Sequence, residues 1–171
     1  MLKKKLVPTI TLATICLIVA MLLAVVNSVT KPKILRDQEK KVQDALSEVL
    51  PGGANFVEIS TDGMLGVVTK AFTEDGGGYV FQMTVTGYKP GLIVMCGVDA
   101  DGKITGAKYI ASNETLSAEV GLGDKFVGHD KNSINVDIIA GPTAKLTTNA
   151  YYKAIESALE AYEFIKEDSE K

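Results

Sequence analysis

The feature that most limits what this chain can become is a charge-free apolar run near its start. Leu6 to Val29, LVPTITLATICLIVAMLLAVVNSV, contains no Asp, Glu, Lys, Arg or His. As a helix it would reach ~36 Å at ~1.5 Å per residue, enough to cross a ~30 Å hydrocarbon core with some tilt. It exceeds the apolar core of a secretory signal, Val26-Asn27-Ser28 is a poor cleavage site, and no A-x-A signal follows. The expectation is an uncleaved anchor over residues 1–30, with a short basic N-terminus. A lipoprotein signal wants a small residue before its cysteine, whereas Ile15 precedes Cys16. Cys16 therefore reads as an apolar thiol within the span. Lys3, Lys4 and Lys5 favour a cytoplasmic N-terminus, although Lys31, Lys33 and Arg36 soon after the span narrow that bias. The expected location is the cell membrane, single-pass, with the following domain extracytoplasmic. Cys96 is then a lone thiol, because its one possible partner, Cys16, lies in the membrane.

Composition narrows what lies beyond the span. Eighteen Lys and Arg against 21 Asp and Glu give a net charge of −3, which argues against a basic nucleic-acid binder. A hydrophobic content of 46% excludes a disordered acidic chain. Two Cys and one His are too few for a Cys/His zinc finger or an iron–sulfur site. About 140 residues remain after the anchor, a common size for one domain.

Residues 31–53 read as a stalk helix and turn. Ile34, Leu35, Val42, Leu46 and Val49 form an apolar stripe, Thr30 is placed to cap, Pro32 suits a first turn, and Pro51-Gly52-Gly53 stops the helix. Residues 54–171 form the expected α+β domain, a twisted and largely antiparallel sheet with flanking helices. Tyr79–Val85, Leu92–Val98 and Ile104–Ile110 read as strands, with turns at Glu74-Asp-Gly-Gly-Gly and Asp99-Ala-Asp-Gly-Lys. The Asp-x-Asp-Gly piece lacks the further ligands of a calcium loop, so it reads as a hairpin turn. From Thr147 onward Tyr151, Ala154, Ile155, Ala158, Leu159 and Tyr162 recur at helical spacing.

Two segments stand out chemically. Asp137 to Ala150, DIIAGPTAKLTTNA, joins an expected strand to the last helix. Gly141 permits a tight turn, and Thr143, Thr147 and Thr148 bring hydroxyls to the helix start, where unpaired N–H groups suit a phosphate. The plainer alternative is a threonine that only caps the helix. The other segment, Asn113 to Phe126, holds Glu114, Thr115, Gly121, Leu122 and Gly123. Its glycines would let backbone approach a flat ligand, or it is an ordinary surface loop. His129 reads as a loop residue. No nucleophilic triad, P-loop, dinucleotide fingerprint or metal-ligand set is visible, so no catalytic residue is assigned.

Taken together and in this order behind an anchor, these segments resemble the FMN-binding domain family, in particular the G-type component of the Rnf electron-transport complex. The C-type component of the sodium-pumping NADH:quinone oxidoreductase is a relative. Thr30-Lys-Pro-Lys-Ile with Glu48-Val-Leu-Pro is similar to the stalk, and Gly87 to Gly106 to the sheet core. Glu114-Thr115 with Gly121-Leu122-Gly123 resembles the E-T-x-G-L-G loop, and Asp137 to Ala150 the D-x-x-[ST]-G-A-T-x-[ST] motif. The resemblance implies FMN bound covalently through its phosphate to Thr147, with Thr148 and Thr143 as fallbacks. Glu114, Thr115 and the Gly121–Gly123 turn would lie near the flavin. A threonine hydroxyl is a poor nucleophile without a base. None is evident near Thr147 in the sequence, so the resemblance implies maturation by a magnesium-dependent flavin transferase with FAD as donor.

The chain differs from the family pattern at these two segments. Ala140 and Pro142 replace the usual Ser or Thr and Ala, Ala144-Lys145 are extra, and Leu116 to Glu119 lengthen the Glu-Thr loop. The function implied is an electron-transfer subunit of an ion-translocating ferredoxin:NAD+ oxidoreductase, coupled to sodium or proton movement. Its partners would be the other membrane and iron–sulfur subunits. The ion path would lie elsewhere, because this span has no charged residue to form one. The rival readings are the quinone-oxidoreductase component and a tethered interaction module without flavin.

Overall fold

The computed structural model describes residues 2–115, 117, 119–139 and 144–169, with backbone alone at 2–9, 34, 35, 38 and 139. Gly141 and Thr143 lie outside the described residues, as do Ala140 and Pro142. The chain divides between Lys41 and Val42 into two compact units.

The first unit is helical. Helix α1 covers Leu2–Val49, and Ile10–Lys33 within it is long and apolar enough to span a bilayer, at 24 residues and a mean hydropathy of 2.6. Its apolar side chains are exposed all round, as a lipid-facing helix requires. Two of its hydroxyls are turned onto the helix itself. Thr14 Oγ1 donates to the Ile10 carbonyl and Ser28 Oγ to that of Ala24, both at 2.9 Å, so neither is left unpaired on the apolar surface. The fresh helix start expected at Thr30 does not occur. Pro32 removes a single N–H from the ladder, and the Lys and Arg residues around it favour the helix enough for α1 to continue.

The second unit is built on five antiparallel strands in the order of the chain. These are β1 (Val57–Ile59), β2 (Val68–Thr73), β3 (Tyr79–Thr86), β4 (Pro90–Val98) and β5 (Ile104–Ala111). Acidic side chains shape the hairpin turns. Glu74 accepts from the N–H groups of Gly76 and Gly78, and Asp99 from those of Asp101 and Lys103. The Asp99-Ala-Asp-Gly piece is thus a hairpin turn, as expected. Val136–Ile139, where the segment expected to leave a strand begins, is a turn of 3-10 helix. Asn135 Oδ1 accepts from Asp137 N at 2.9 Å, and this side-chain turn wins over an extended backbone.

Helix α2 (Lys145–Ser169) covers one face of the sheet. Tyr151, Ala154, Ile155, Ala158 and Leu159 pack there with Phe81, Met83, Leu92, Val94 and Cys96. The C-terminal end of α1 covers the opposite face: Ala45, Leu46, Val49 and Leu50 pack on Phe72, Val80 and Met95. The central strands are therefore buried on both sides, which explains why β4 reads as a continuous apolar run. Gly97 and Gly106 face each other across β4 and β5 and give the helix end its seat. A Cβ on Gly97 would lie 2.3 Å from the Val49 carbonyl oxygen, and one on Gly106 2.9 Å from Val49 Cα. That carbonyl accepts from Thr105 Oγ1 at 2.6 Å, so the last turn of α1 is satisfied by the sheet.

Gly97→Ala is expected to destabilise the full chain by about 1–3 kcal/mol through overpacking, read by chemical denaturation in detergent. Burial pushes the Cys96 thiol up to about 12. A thiol reagent at pH 8 is expected to label Cys96 only after unfolding; rapid labelling of the native chain would contradict this burial.

Candidate functional site

Three segments distant in sequence meet at the N-terminal end of α2. The turn between β3 and β4 carries Gly87, Tyr88 and Lys89. The segment leaving β5 runs beside it, because Ile93 pairs with Ala111 and Asn113 Nδ2 donates to the Pro90 carbonyl at 3.1 Å. Ser112 Oγ accepts from Glu114 N at 3.1 Å and sets the bend there. The carboxylate of Glu114 then reaches across the turn. Its Oε1 accepts from Lys89 N at 3.1 Å, and its Oε2 from Tyr88 N at 3.3 Å.

The third segment is the first turn of α2. Thr147 Oγ1 donates to Glu114 Oε2 at 2.6 Å, the length of a charge-assisted O–H···O⁻ bond. Partial burial pushes the Glu114 carboxyl up. The Thr147 hydroxyl, the two turn N–H groups and the Lys89 charge outweigh it, and the net pKa lies below the ordinary value. Close approach of the three segments depends on a missing side chain: a Cβ on Gly87 would lie 2.6 Å from Glu114 Oε1 and 3.1 Å from Thr147 Cα.

A pocket of about 420 Å³ opens on this junction, within the size range of small-molecule sites. Glu114, Thr115 and Thr147 form its polar side. Tyr88 and Leu146 stand over it, 65% and 62% exposed, and Ala144 and Lys145 complete the described lining. The first i→i−4 bond of α2 runs from Thr148 N to the Ala144 carbonyl, so the N–H groups of residues 145–147 precede the ladder and carry the positive end of the helix dipole. Ala144 itself takes a left-handed φ of 54°, unusual for a residue with a side chain. The pocket can thus offer apolar walls for a flat ring system, N–H donors for an anion, and one hydroxyl already paired with a carboxylate.

Of the residues singled out from the sequence, Glu114, Thr115 and Thr147 share this pocket. Thr148 is buried behind it, and its hydroxyl turns onto the Ala144 and Lys145 carbonyls. Leu122 belongs to the core beneath α2. Gly123 lies against β5, where a Cβ would sit 1.6 Å from the Ala107 carbonyl oxygen. Close approach at Gly123 is therefore to the protein's own backbone. Gly121 takes a φ of 71° in open space. Gly87, Tyr88, Lys89, Lys145 and Leu146 also stand at the site without having been expected there; the Gly87-Tyr88-Lys89-Pro90 turn between two expected strands was the available signal for the first three. No base for Thr147 was evident in the sequence; the fold supplies a carboxylate from 33 residues upstream.

The family described as RnfG N-terminal region matches residues 1–49, and the FMN-binding domain matches residues 87–160. The first coincides with α1, and the second begins at the glycine of the β3–β4 turn and ends within α2. No curated protein matches the chain.

Because the Glu114 pKa lies below its ordinary value of 4.5, its contribution to stability is complete above that value and is lost as pH falls through the lowered one. Thr147→Val is expected to raise the Glu114 midpoint, read by carboxyl NMR titration, and to flatten the acid limb of stability against pH. An unchanged midpoint would mean that the hydroxyl does not hold the carboxylate.

Proposed function

Because the chain is an RnfG-like FMN-binding protein, we propose that it is a membrane-anchored flavoprotein subunit that relays electrons through FMN joined by its phosphate to Thr147. The observation that carries this reading is the position of one hydroxyl. Thr147 lies in the first turn of α2, lines the pocket and is bonded to Glu114. The residues present fit such a group. Tyr88 and Leu146 supply exposed apolar surface for the ring system. The N–H groups at the start of α2, with Lys145 on the pocket wall and the Lys89 charge at its edge, suit a phosphodiester. Bound there, a flavin supplies one-electron chemistry, and the protein sets its position and potential.

What the chain's own residues do is bind and orient. Gly87 keeps the turn against Thr147, and Glu114 ties that turn to α2 through three hydrogen bonds. Ala144 and Lys145, extra relative to the family motif, form pocket wall here. That position supports a loop adapted around the ligand. The wider role follows the family: a part in an Rnf-type complex that passes electrons between ferredoxin and NAD+ and couples them to sodium or proton translocation. Iron–sulfur and membrane subunits would be its partners, and a flavin transferase would mature it. The basic residues ahead of the apolar helix support a cytoplasmic N-terminus and an extracytoplasmic domain.

Co-expression with a flavin transferase is expected to add one FMN-sized increment to the intact mass and to give a fluorescent band in a denaturing gel. Thr147→Ala is expected to abolish both. An unmodified wild-type mass, with the transferase active on a control acceptor, would overturn the flavoprotein reading. Persistence in the mutant would move the attachment site. A membrane-impermeant reagent is expected to label a cysteine placed in the C-terminal tail only from the extracytoplasmic side.

A further inference from the structure

The contact between Thr147 and Glu114 has a chemical sense beyond holding two segments together. We propose that Glu114 is the proton acceptor for covalent loading of Thr147, so that the chain carries part of its own modification chemistry inside the pocket. This rests on the reading that Thr147 is the attachment site.

An alcohol attacks phosphorus slowly unless its proton has somewhere to go. Here the proton is already shared with a carboxylate oxygen 2.6 Å away, inside the distance for direct transfer. The carboxylate is fixed from behind by the N–H groups of Tyr88 and Lys89, so it stays in place as the hydroxyl reacts. Among the described residues lining the pocket it is the only carboxylate. The step balances without any redox change. The Thr147 oxygen forms a bond to the flavin-bearing phosphorus of a flavin adenine dinucleotide. The pyrophosphate P–O bond to AMP breaks, AMP departs with that electron pair, and the hydroxyl proton passes to Glu114 Oε2. The product ester oxygen can no longer donate. The carboxyl, neutral at that moment, becomes a donor beside the new phosphodiester, so two anions do not face each other as the bond forms.

The test uses the full chain, purified in detergent without flavin and mixed with transferase, magnesium and FAD. Intact mass is followed with time. Glu114→Gln is expected to load about 100-fold more slowly or worse, and Glu114→Asp, which keeps a carboxylate, to load faster than Glu114→Gln. Circular dichroism checks that both variants fold. Loading of Glu114→Gln at the wild-type rate, or no advantage of Asp over Gln, would overturn the proposal while leaving the attachment site intact. A wild-type chain that takes no flavin would overturn the attachment reading, and this proposal with it.

A second measurement does not depend on the variants. Carboxyl NMR of the wild type is expected to show a higher Glu114 midpoint after loading, because its hydrogen-bond donor is gone and an anion stands beside it. The other titratable groups around it are Tyr88 and Lys145 on the pocket wall and Lys89 in the turn. An unchanged midpoint would overturn the proposal.

Discussion

A five-stranded sheet whose central strands are apolar on both faces must be covered twice, and this requirement organises the domain. β3 and β4 place Phe81, Met83, Val94 and Cys96 on one side, and Val80 and Met95 on the other. Helix α2 answers the first demand along much of its length. The second is met by the last turns of α1, seated where Gly97 and Gly106 leave no side chain in the way. The glycine pair thus does for the helix end what cross-strand side chains do elsewhere in the sheet: it sets how close the layers come.

The same geometry builds the site. With α2 fixed over β3 and β4, its first turn arrives beside the β3–β4 turn, and antiparallel pairing of β4 with β5 returns the chain at Glu114 to that point. The polar cluster is held by rigid neighbours. A carboxylate with two backbone donors and one hydroxyl donor has little freedom, and its lowered pKa reports how fully it is satisfied. The apolar residues above it, Tyr88 and Leu146, remain uncovered by protein, an arrangement that suits a flat ligand with one anionic end.

Where structure follows from neighbours in the chain, it could be read from the sequence. The hairpin turns at Glu74 and Asp99, the buried run of β4 and the stripe from Tyr151 to Tyr162 depend on local chemistry and periodicity, and they stand where they were expected. Val136–Ile139 is as apolar as a strand, but the Asn135 side chain turns it into 3-10 helix. Thr30 is a good cap by type, yet a cap acts only where a helix must start, and here one was already running. The pairing of Glu114 with Thr147 was out of reach because it depends on strand register, which no local pattern encodes. The Gly121-Leu122-Gly123 turn shows the converse. Its glycines are explained by the left-handed φ of Gly121 and by β5 pressing on Gly123, needs internal to the protein.

The double use of α1 bears on any attempt to obtain the domain in water. Cutting the chain beyond the helix, near residue 54, would strip one wall from the sheet and lay Phe72, Val80 and Met95 bare, inviting aggregation. A truncation that begins between residues 34 and 42 discards the greasy stretch yet retains Ala45, Leu46, Val49 and Leu50, so the sheet keeps its cover.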